Sequence, residues 1–231
     1  MAHDPLGCDD CPVRDIAVCA GLGDAERRDL ARLGRRKRYR RGETVFAAGD
    51  ESIACATLVS GVLKLSRFDA NGTERTVALL HPAGFLARLF ATEIDSSATA
   101  ITDCELCLFP RELIEREMGH HPGFMQRVLR ATSEQLASAH DLIDLIGRRD
   151  ARARLAGLLL IFAQGSCEGA PADGLLLDLP LTRGEIATLL GLTIETVSRQ
   201  LTALEADGII AREGARGIRL VRLNDLRDAA A

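Results

Sequence analysis

The sequence predicts an α+β protein: an N-terminal β-roll, one long helix, and a C-terminal winged helix-turn-helix. Three observations predict it. Residues 23–115 carry short strand-like runs punctuated by Gly42, Gly49, Gly61, Gly72 and Gly84, the rhythm of an all-β roll. Residues 122–147 repeat apolar side chains at alternating intervals of four and three, a helical heptad. Residues 182–207 read as two helices joined at Gly191, the layout of a helix-turn-helix.

Composition narrows the function classes. With 231 residues, 47% of them hydrophobic and 27% charged, the chain is expected to fold, with room for two small domains. No apolar run approaches the roughly 18 residues of a membrane span, and no signal peptide is legible, so the expected location is cytoplasmic, with no membrane partner. A net charge of −4 confines any nucleic-acid contact to a local surface. Aromatics are 3% with no Trp, too few for binding by base stacking. No phosphate-binding Walker loop, nucleophile elbow or HExxH helix is present, and no enzyme is expected.

The elements follow in order. Residues 1–22 form a polar, cysteine-bearing segment and residues 23–119 the roll. Short helices are expected at Asp24–Leu33, leading in, and Arg111–Met118, leading out. The run Arg35-Arg36-Lys37-Arg38-Tyr39-Arg40-Arg41 reads as a solvated strand or charge-paired surface. Asn71-Gly72, between Leu63–Ser66 and Thr76–Leu79, predicts a two-residue hairpin turn. His120-His121 precede Pro122, where a cap or surface role is expected. Residues 120–148 are the long helix, with Met125, Leu129, Thr132, Leu136, Ala139, Ile143 and Ile146 as the seam of a homodimer. Packing on the helix's own domain would use a wider stripe; Leu142 and Leu145 widen it near the C-terminal end, so both uses can hold.

Residues 149–231 form the last domain, with helix Ala151–Gln164, loop Gly165–Gly174 and strand Leu175–Leu179 ahead of the helix pair. Thr182 can cap the first helix with Glu185 as capping-box partner. Ile186, Leu189 and Leu190 turn inward, Ala187 allows close approach, Leu192 plugs the corner, and Thr193 caps the second helix. Val197, Leu201 and Leu204 face the core. The outer face carries Glu195, Thr196, Ser198 and Arg199, at the end that enters a major groove. Arg199 can fork onto guanine, Glu195 can accept from the cytosine amino group, and Ser198 can serve a base edge or a phosphate. Ile209–Ala211 and Ile218–Val221 bracket Gly214-Ala215-Arg216-Gly217 as a wing. Thr182, Thr193, Thr196, Arg212 and Arg216 are the candidate phosphate contacts, with Arg219 beside them.

Seven cysteines without a secretory context call for a metal or redox reading before a disulfide one. Cys8, Cys11 and Cys19 form C-x2-C-x7-C, and Cys104 and Cys107 lie far downstream. Four thiolates suit an iron–sulfur cluster or zinc. Cys104 and Cys107 differ by an odd offset, so on a strand only one reaches the N-terminal segment. Cys55, Cys104 and Cys167 are expected to be small, half-buried residues without a ligand. A thiol oxidoreductase using Cys8 and Cys11 lacks the βαβ context such chemistry needs.

Ile194-Glu195-Thr196-Val197-Ser198-Arg199-Gln200-Leu201 resembles the recognition helix of the Crp/Fnr superfamily of bacterial regulators, in the Glu-x-x-Ser-Arg form of its Fnr branch. The order of β-roll (a cyclic-nucleotide-binding-like jelly roll), dimer helix and winged domain is similar over nearly the whole chain. The resemblance implies a dimer on double-stranded DNA at an inverted repeat of TTGAT-type half-sites, with RNA polymerase as a partner. It also implies an oxygen-labile [4Fe-4S] cluster held by Cys8, Cys11, Cys19 and Cys107. Cys8-Asp9-Asp10-Cys11-Pro12-Val13-Arg14 through Cys19 resembles the alphaproteobacterial N-terminal set, and Cys107-Leu108-Phe109-Pro110 the downstream segment. The alternatives within the superfamily are a cyclic nucleotide, a haem-bound gas, or thiol redox. The nucleotide branch holds phosphate with Gly-Glu and Arg-Ser pairs. Here Phe85-Leu86-Ala87 follow Gly84, and Ala91–Thr99 contains no arginine, so no anion partner is expected in the roll.

Overall fold

The computed structural model describes residues 7–165, 170–214 and 216–231. Cys167, Ala215 of the wing turn and residues 166–169 of the expected loop lie outside them. The chain divides into two compact units, one up to Ala139 and one from His140.

In the first unit a 3-10 turn, Val18–Gly21, leads to α1 (Asp24–Leu33). Eight strands follow: β1 (Arg35–Tyr39), β2 (Thr44–Phe46), β3 (Ala54–Ser60), β4 (Leu63–Phe68), β5 (Glu74–Leu80), β6 (Phe85–Leu86), β7 (Ser97–Ala100) and β8 (Cys104–Pro110). They form two antiparallel sheets, β1-β8-β3-β6 and β2-β7-β4-β5. Ala56, Leu58, Leu63, Leu80, Ala100 and Leu106 from both sheets fill one core, the burial that makes a two-layer roll stable. α2 (Arg111–His120) and the start of α3 (Pro122–Gly147) close the unit.

The pleat of β8 separates its two faces. Cys104, Leu106 and Leu108 enter the core between the sheets. Cys107 and Phe109 turn the other way, into a second core with Val13, Val18, Leu30, Ile114, Phe124 and Val128. That second core joins the cysteine-bearing segment to α1, α2 and the first turns of α3.

Two details depart from the expected pattern. The hairpin at Asn71-Gly72 is real, but its loop is Asp69–Thr73, five residues long, because Phe68 pairs with Glu74. Asp69 causes this: its Oδ1 accepts from the N–H groups of Asn71 and Thr73 at 2.9 and 3.0 Å, a local side-chain turn that outcompetes a tight one. The basic run is a charge-paired edge strand. Arg36 and Arg38 approach Glu105 of β8 at 3.8 and 3.3 Å, and Lys37 lies 4.5 Å from the centre of the Tyr39 ring.

In the second unit the last turns of α3 and α4 (Ala151–Gly165) are followed by β9 (Leu176–Asp178), α5 (Arg183–Leu190) and α6 (Ile194–Ala206). Next come β10 (Ile210–Glu213), β11 (Gly217–Leu220) and α7 (Leu223–Ala230). The strands form a sheet in the order β10-β11-β9. Leu155, Leu158, Leu159 and Phe162 of α4 are buried and form the platform beneath the helix pair. Helix α7 lies beyond the elements that the sequence pattern predicts. Its residues Leu223, Leu226 and Ala230 are buried at helical spacing, but its first N–H donates to Asp173 Oδ1 at 2.7 Å, from 50 residues away. The residue that starts this helix is therefore not beside it in the chain. Among the described residues no helix is long and apolar enough to cross a membrane.

Candidate nucleic-acid interface and cysteine-lined cavity

The helix pair is built by local chemistry. The Thr182 hydroxyl accepts from the Glu185 N–H at 3.2 Å, and Glu185 Oε2 accepts from the Thr182 N–H at 2.6 Å, a reciprocal capping box. Gly191 ends α5 at φ 62°, ψ 39°, the left-handed geometry a side chain would strain. Leu192 N–H then returns to the Ala187 carbonyl at 2.9 Å. Thr193 caps α6 by accepting from the Thr196 N–H at 3.2 Å. Ile186, Leu189, Leu190, Val197, Leu201 and Leu204 are buried between the helices and their platform.

The opposite face of α6 is open. Glu195 and Arg199 are exposed, and Thr196 and Ser198 half-buried. The Glu195 carboxyl accepts from its own N–H and from the Thr193 hydroxyl, which holds it below the usual carboxylate range. It is therefore an ionised acceptor at the helix N-terminus, ready for an amino group and repelled by phosphate. Arg183, a residue the motif did not single out, donates to the Ser198 hydroxyl at 3.3 Å and ties the first helix to the open face of α6. The signal was present: Arg183 is the first residue of α5, immediately after its cap. Thr182 and Thr193, both exposed, stand at the two helix N-termini, where N–H groups and the helix dipole favour an anion.

The wing arginines differ. Arg212 is committed to Glu205: its Nε reaches Oε2 at 2.7 Å and its N–H reaches Oε1 at 3.0 Å. This pairing raises the Arg212 pKa and lowers that of Glu205. Arg219 forks onto Glu213, with Nη2 at 2.9 Å from Oε2. Arg216 is exposed in the turn and, among the described residues, enters no ion pair. Of the two candidate phosphate contacts on the wing, Arg212 is thus held by a local carboxylate and Arg216 is not.

The cysteines come together in the first unit. Cys8, Cys11, Cys19 and Cys107 line one small apolar cavity with Val18, Leu30, Thr57, Val59 and Phe109. The segment is held by turns, with Cys11 N–H on the Cys8 carbonyl at 3.4 Å and Arg14 N–H on the Cys11 carbonyl at 3.1 Å. Burial pushes the Cys107 thiol up to about 11; the nearby Arg36 guanidinium opposes this, and Cys11 and Cys19 add to it. Burial also raises Cys19. Arg14 and Arg27 sit in the cavity wall, and Arg36 pairs in register with Cys107 across β1 and β8. Cys104 is absent from this cavity; its Sγ lies 3.3 Å from the Val62 carbonyl. Cys55 is fully buried, its thiol pushed by burial to about 12.

The donor set fits an iron–sulfur cluster. The described lining holds four thiols and no carboxylate or imidazole, the soft ligands that select iron–sulfur clusters, zinc or copper(I). Three arginines stand by to offset thiolate charge. Among the described residues no three His, Cys, Asp or Glu side chains close on a single metal-ion position.

The expected dimer seam is outward in the single chain. Met125, Leu129, Leu136 and Ile143 are 39, 59, 57 and 68% exposed, Thr132 is exposed, and Ala139 and Ile146 are half-buried. Phe124, Val128, Leu142 and Leu145 take the inward positions, so both faces of α3 are apolar. At its start, Gly21 lies so close that a Cβ there would sit 2.5 Å from the Gly123 carbonyl oxygen. His121 meets Glu26 at 3.1 Å and Glu117 at 3.3 Å beside this junction.

One expectation about the roll is overturned. Residues 91–99 indeed lack arginine, but the fold brings Arg67 of β4 and Arg88, just after β6, into a cavity of the roll. Cations are therefore present in the roll, from β4 and from the segment after β6, and both meet Asp95.

Residues 36–121 match a family described as the cyclic nucleotide-binding domain, and residues 153–229 match the Crp-like helix-turn-helix domain. The chain is 38% identical over 214 residues to the transcriptional activator protein FnrL of Cereibacter sphaeroides, covering 91% of this chain and 86% of that one. It is 34% identical over 210 residues to the nitrogen fixation regulation protein FixK of Bradyrhizobium diazoefficiens, covering 88% and 86%. The structure of FixK2 from Bradyrhizobium japonicum superposes with a TM-score of 0.77 at 27% identity, covering 86% of this chain and 98% of that one. The capped helix pair, the wing and the roll thus place the chain in the Crp/Fnr family, as a DNA-binding transcriptional regulator of the Fnr/FixK type.

Proposed function

We propose that this regulator binds, as a homodimer, an inverted repeat of TTGAT-type half-sites, and that oxygen controls it through a [4Fe-4S] cluster on Cys8, Cys11, Cys19 and Cys107. The observation that carries the reading is the cysteine-lined cavity, in which three N-terminal thiols meet one from the centre of a sheet. A bound cluster would supply an oxygen-labile tie between these thiolates. Arg14, Arg27 and Arg36 offset the thiolate charge, and the apolar wall limits access of water. Names support it as well: the relatives include proteins called FnrL and fumarate and nitrate reduction regulatory protein.

The chain supplies the connection from cavity to DNA. The cysteine segment ends at Gly21, which abuts the first turn of α3. The far face of that helix carries the stripe Met125, Leu129, Thr132, Leu136, Ala139, Ile143 and Ile146, exposed except at the half-buried Ala139 and Ile146, which a second copy would cover. Ordering the segment favours one arrangement of the paired helices, and hence one half-site spacing. On the DNA, Glu195, Ser198 and Arg199 read base edges, while Thr182, Thr193, Thr196 and Arg216 hold phosphates; promoter-bound RNA polymerase would be the downstream partner.

Anaerobic purification tests the cluster. The expected protein is brown, carries about four irons per chain, and bleaches in air. A Cys8→Ala/Cys11→Ala variant should lose the iron and its operator affinity. A colourless wild-type protein after anaerobic reconstitution would overturn the cluster and leave the DNA-reading assignment standing. For the seam, Leu129→Glu with Leu136→Glu should sediment as a monomer; a dimer of unchanged stability would place the interface elsewhere.

A further inference from the structure

The roll contains a cavity of about 570 Å³, within the range of small-molecule sites. Its floor is apolar, with Phe46, Leu65, Val77 and Leu86, and α3 contributes Thr132 and Gln135. Two guanidinium groups reach it from separate elements. Arg67 bonds Asp95 Oδ2 through Nη2 and the Ser96 hydroxyl through Nε at 3.1 Å. Arg88 Nη1 lies 3.4 Å from the same Asp95 oxygen. The Ser96 hydroxyl donates to the other Asp95 oxygen at 3.2 Å.

Two planar cations and a hydroxyl converging on a two-oxygen anion is how a protein grips a ligand carboxylate or phosphate. Here the anion belongs to the chain. We propose that Asp95 is an internal substitute for the anionic group of a small, apolar-bodied ligand, and that it closes the cavity to cyclic phosphates. The loop carrying it is pinned: Ile94 exchanges backbone hydrogen bonds with Asp50 and Gly49 at 2.9 and 2.8 Å. An incoming phosphate must therefore displace a tethered carboxylate that competes at fixed high local concentration. It would also meet the negative charge of that carboxylate beside it. The roll keeps the cavity and the cations of an anion-binding site, and a single aspartate decides that neither is available.

The inference does not rest on the cysteines, and its test does not involve them. A fluorescent cyclic AMP analogue is titrated into the full-length protein, with thermal unfolding followed for each variant. Asp95→Ala should bind at least tenfold more tightly than wild type, Asp95→Asn should also bind more tightly, and adding Arg67→Ala should reverse the gain. Should Asp95→Ala not fold, Asp95→Asn alone reads the effect, since it removes charge and preserves shape. Equal affinity of wild type and both variants, or no binding by any of them, would overturn the assignment.

Discussion

Gly21→Val should uncouple the regulator without replacing any of its cysteines. A Cβ at this position falls 2.5 Å from the Gly123 carbonyl oxygen and 2.8 Å from the Phe124 Cα. Both are backbone atoms of α3, and backbone cannot swing aside as a side-chain tip does. Overpacking of this kind costs about 1–3 kcal/mol, or about 2–4 °C of Tm for each kcal/mol in a chain of this size. The cysteine segment or the first turn of α3 must move. Iron content and visible spectrum under anoxia should stay as in wild type, because no ligand is touched. Operator affinity of the loaded protein should fall at least tenfold, towards that of the Cys8→Ala/Cys11→Ala variant. Unchanged operator affinity in loaded Gly21→Val would show that the signal does not pass through this junction.

Arg199→Ala and Arg216→Ala should fail in different ways. Arg199 stands exposed on the reading face of α6, so its removal should cost about 1–3 kcal/mol and relax preference at one base pair of each half-site. Removing Arg216 should weaken binding to every sequence about equally and lower the salt slope by about one for each phosphate it no longer neutralises. Arg212→Ala separates the wing's roles. Its fork is held by Glu205, so specific DNA affinity should change little, whereas the α6–β10 corner is left untied. Measuring affinity for operator and random DNA at two salt concentrations distinguishes the three. If Arg199→Ala weakened binding uniformly, the assignment of α6 to the major groove would fail.

Much of the site was legible in the sequence because its chemistry is local. The Thr182–Glu185 box, Gly191 and the Thr193 cap involve residues at most a few positions apart, and helical periodicity along α6 separates its buried face from its reading face. The same holds for the outward stripe of α3. Where the sequence misled, a competing interaction was responsible. Asp69 lengthened the hairpin loop by satisfying two backbone donors. Asp173 started α7 from a distant loop, where the sequence pattern gave no element.

By itself, then, the sequence determined the order of elements and the capped helix pair, and it spaced the N-terminal cysteines, since caps, spacing and periodicity are properties of neighbouring residues. Only the tertiary structure decided that Cys107 rather than Cys104 faces Cys8, Cys11 and Cys19. It also decided that Gly21 touches Gly123 and that Arg67 and Arg88 close on Asp95. Those meetings depend on strand register and on sheets packed from segments far apart in the chain. A one-residue slip would send every side chain of β8 to its opposite face, and nothing local to Cys107 records which register is taken.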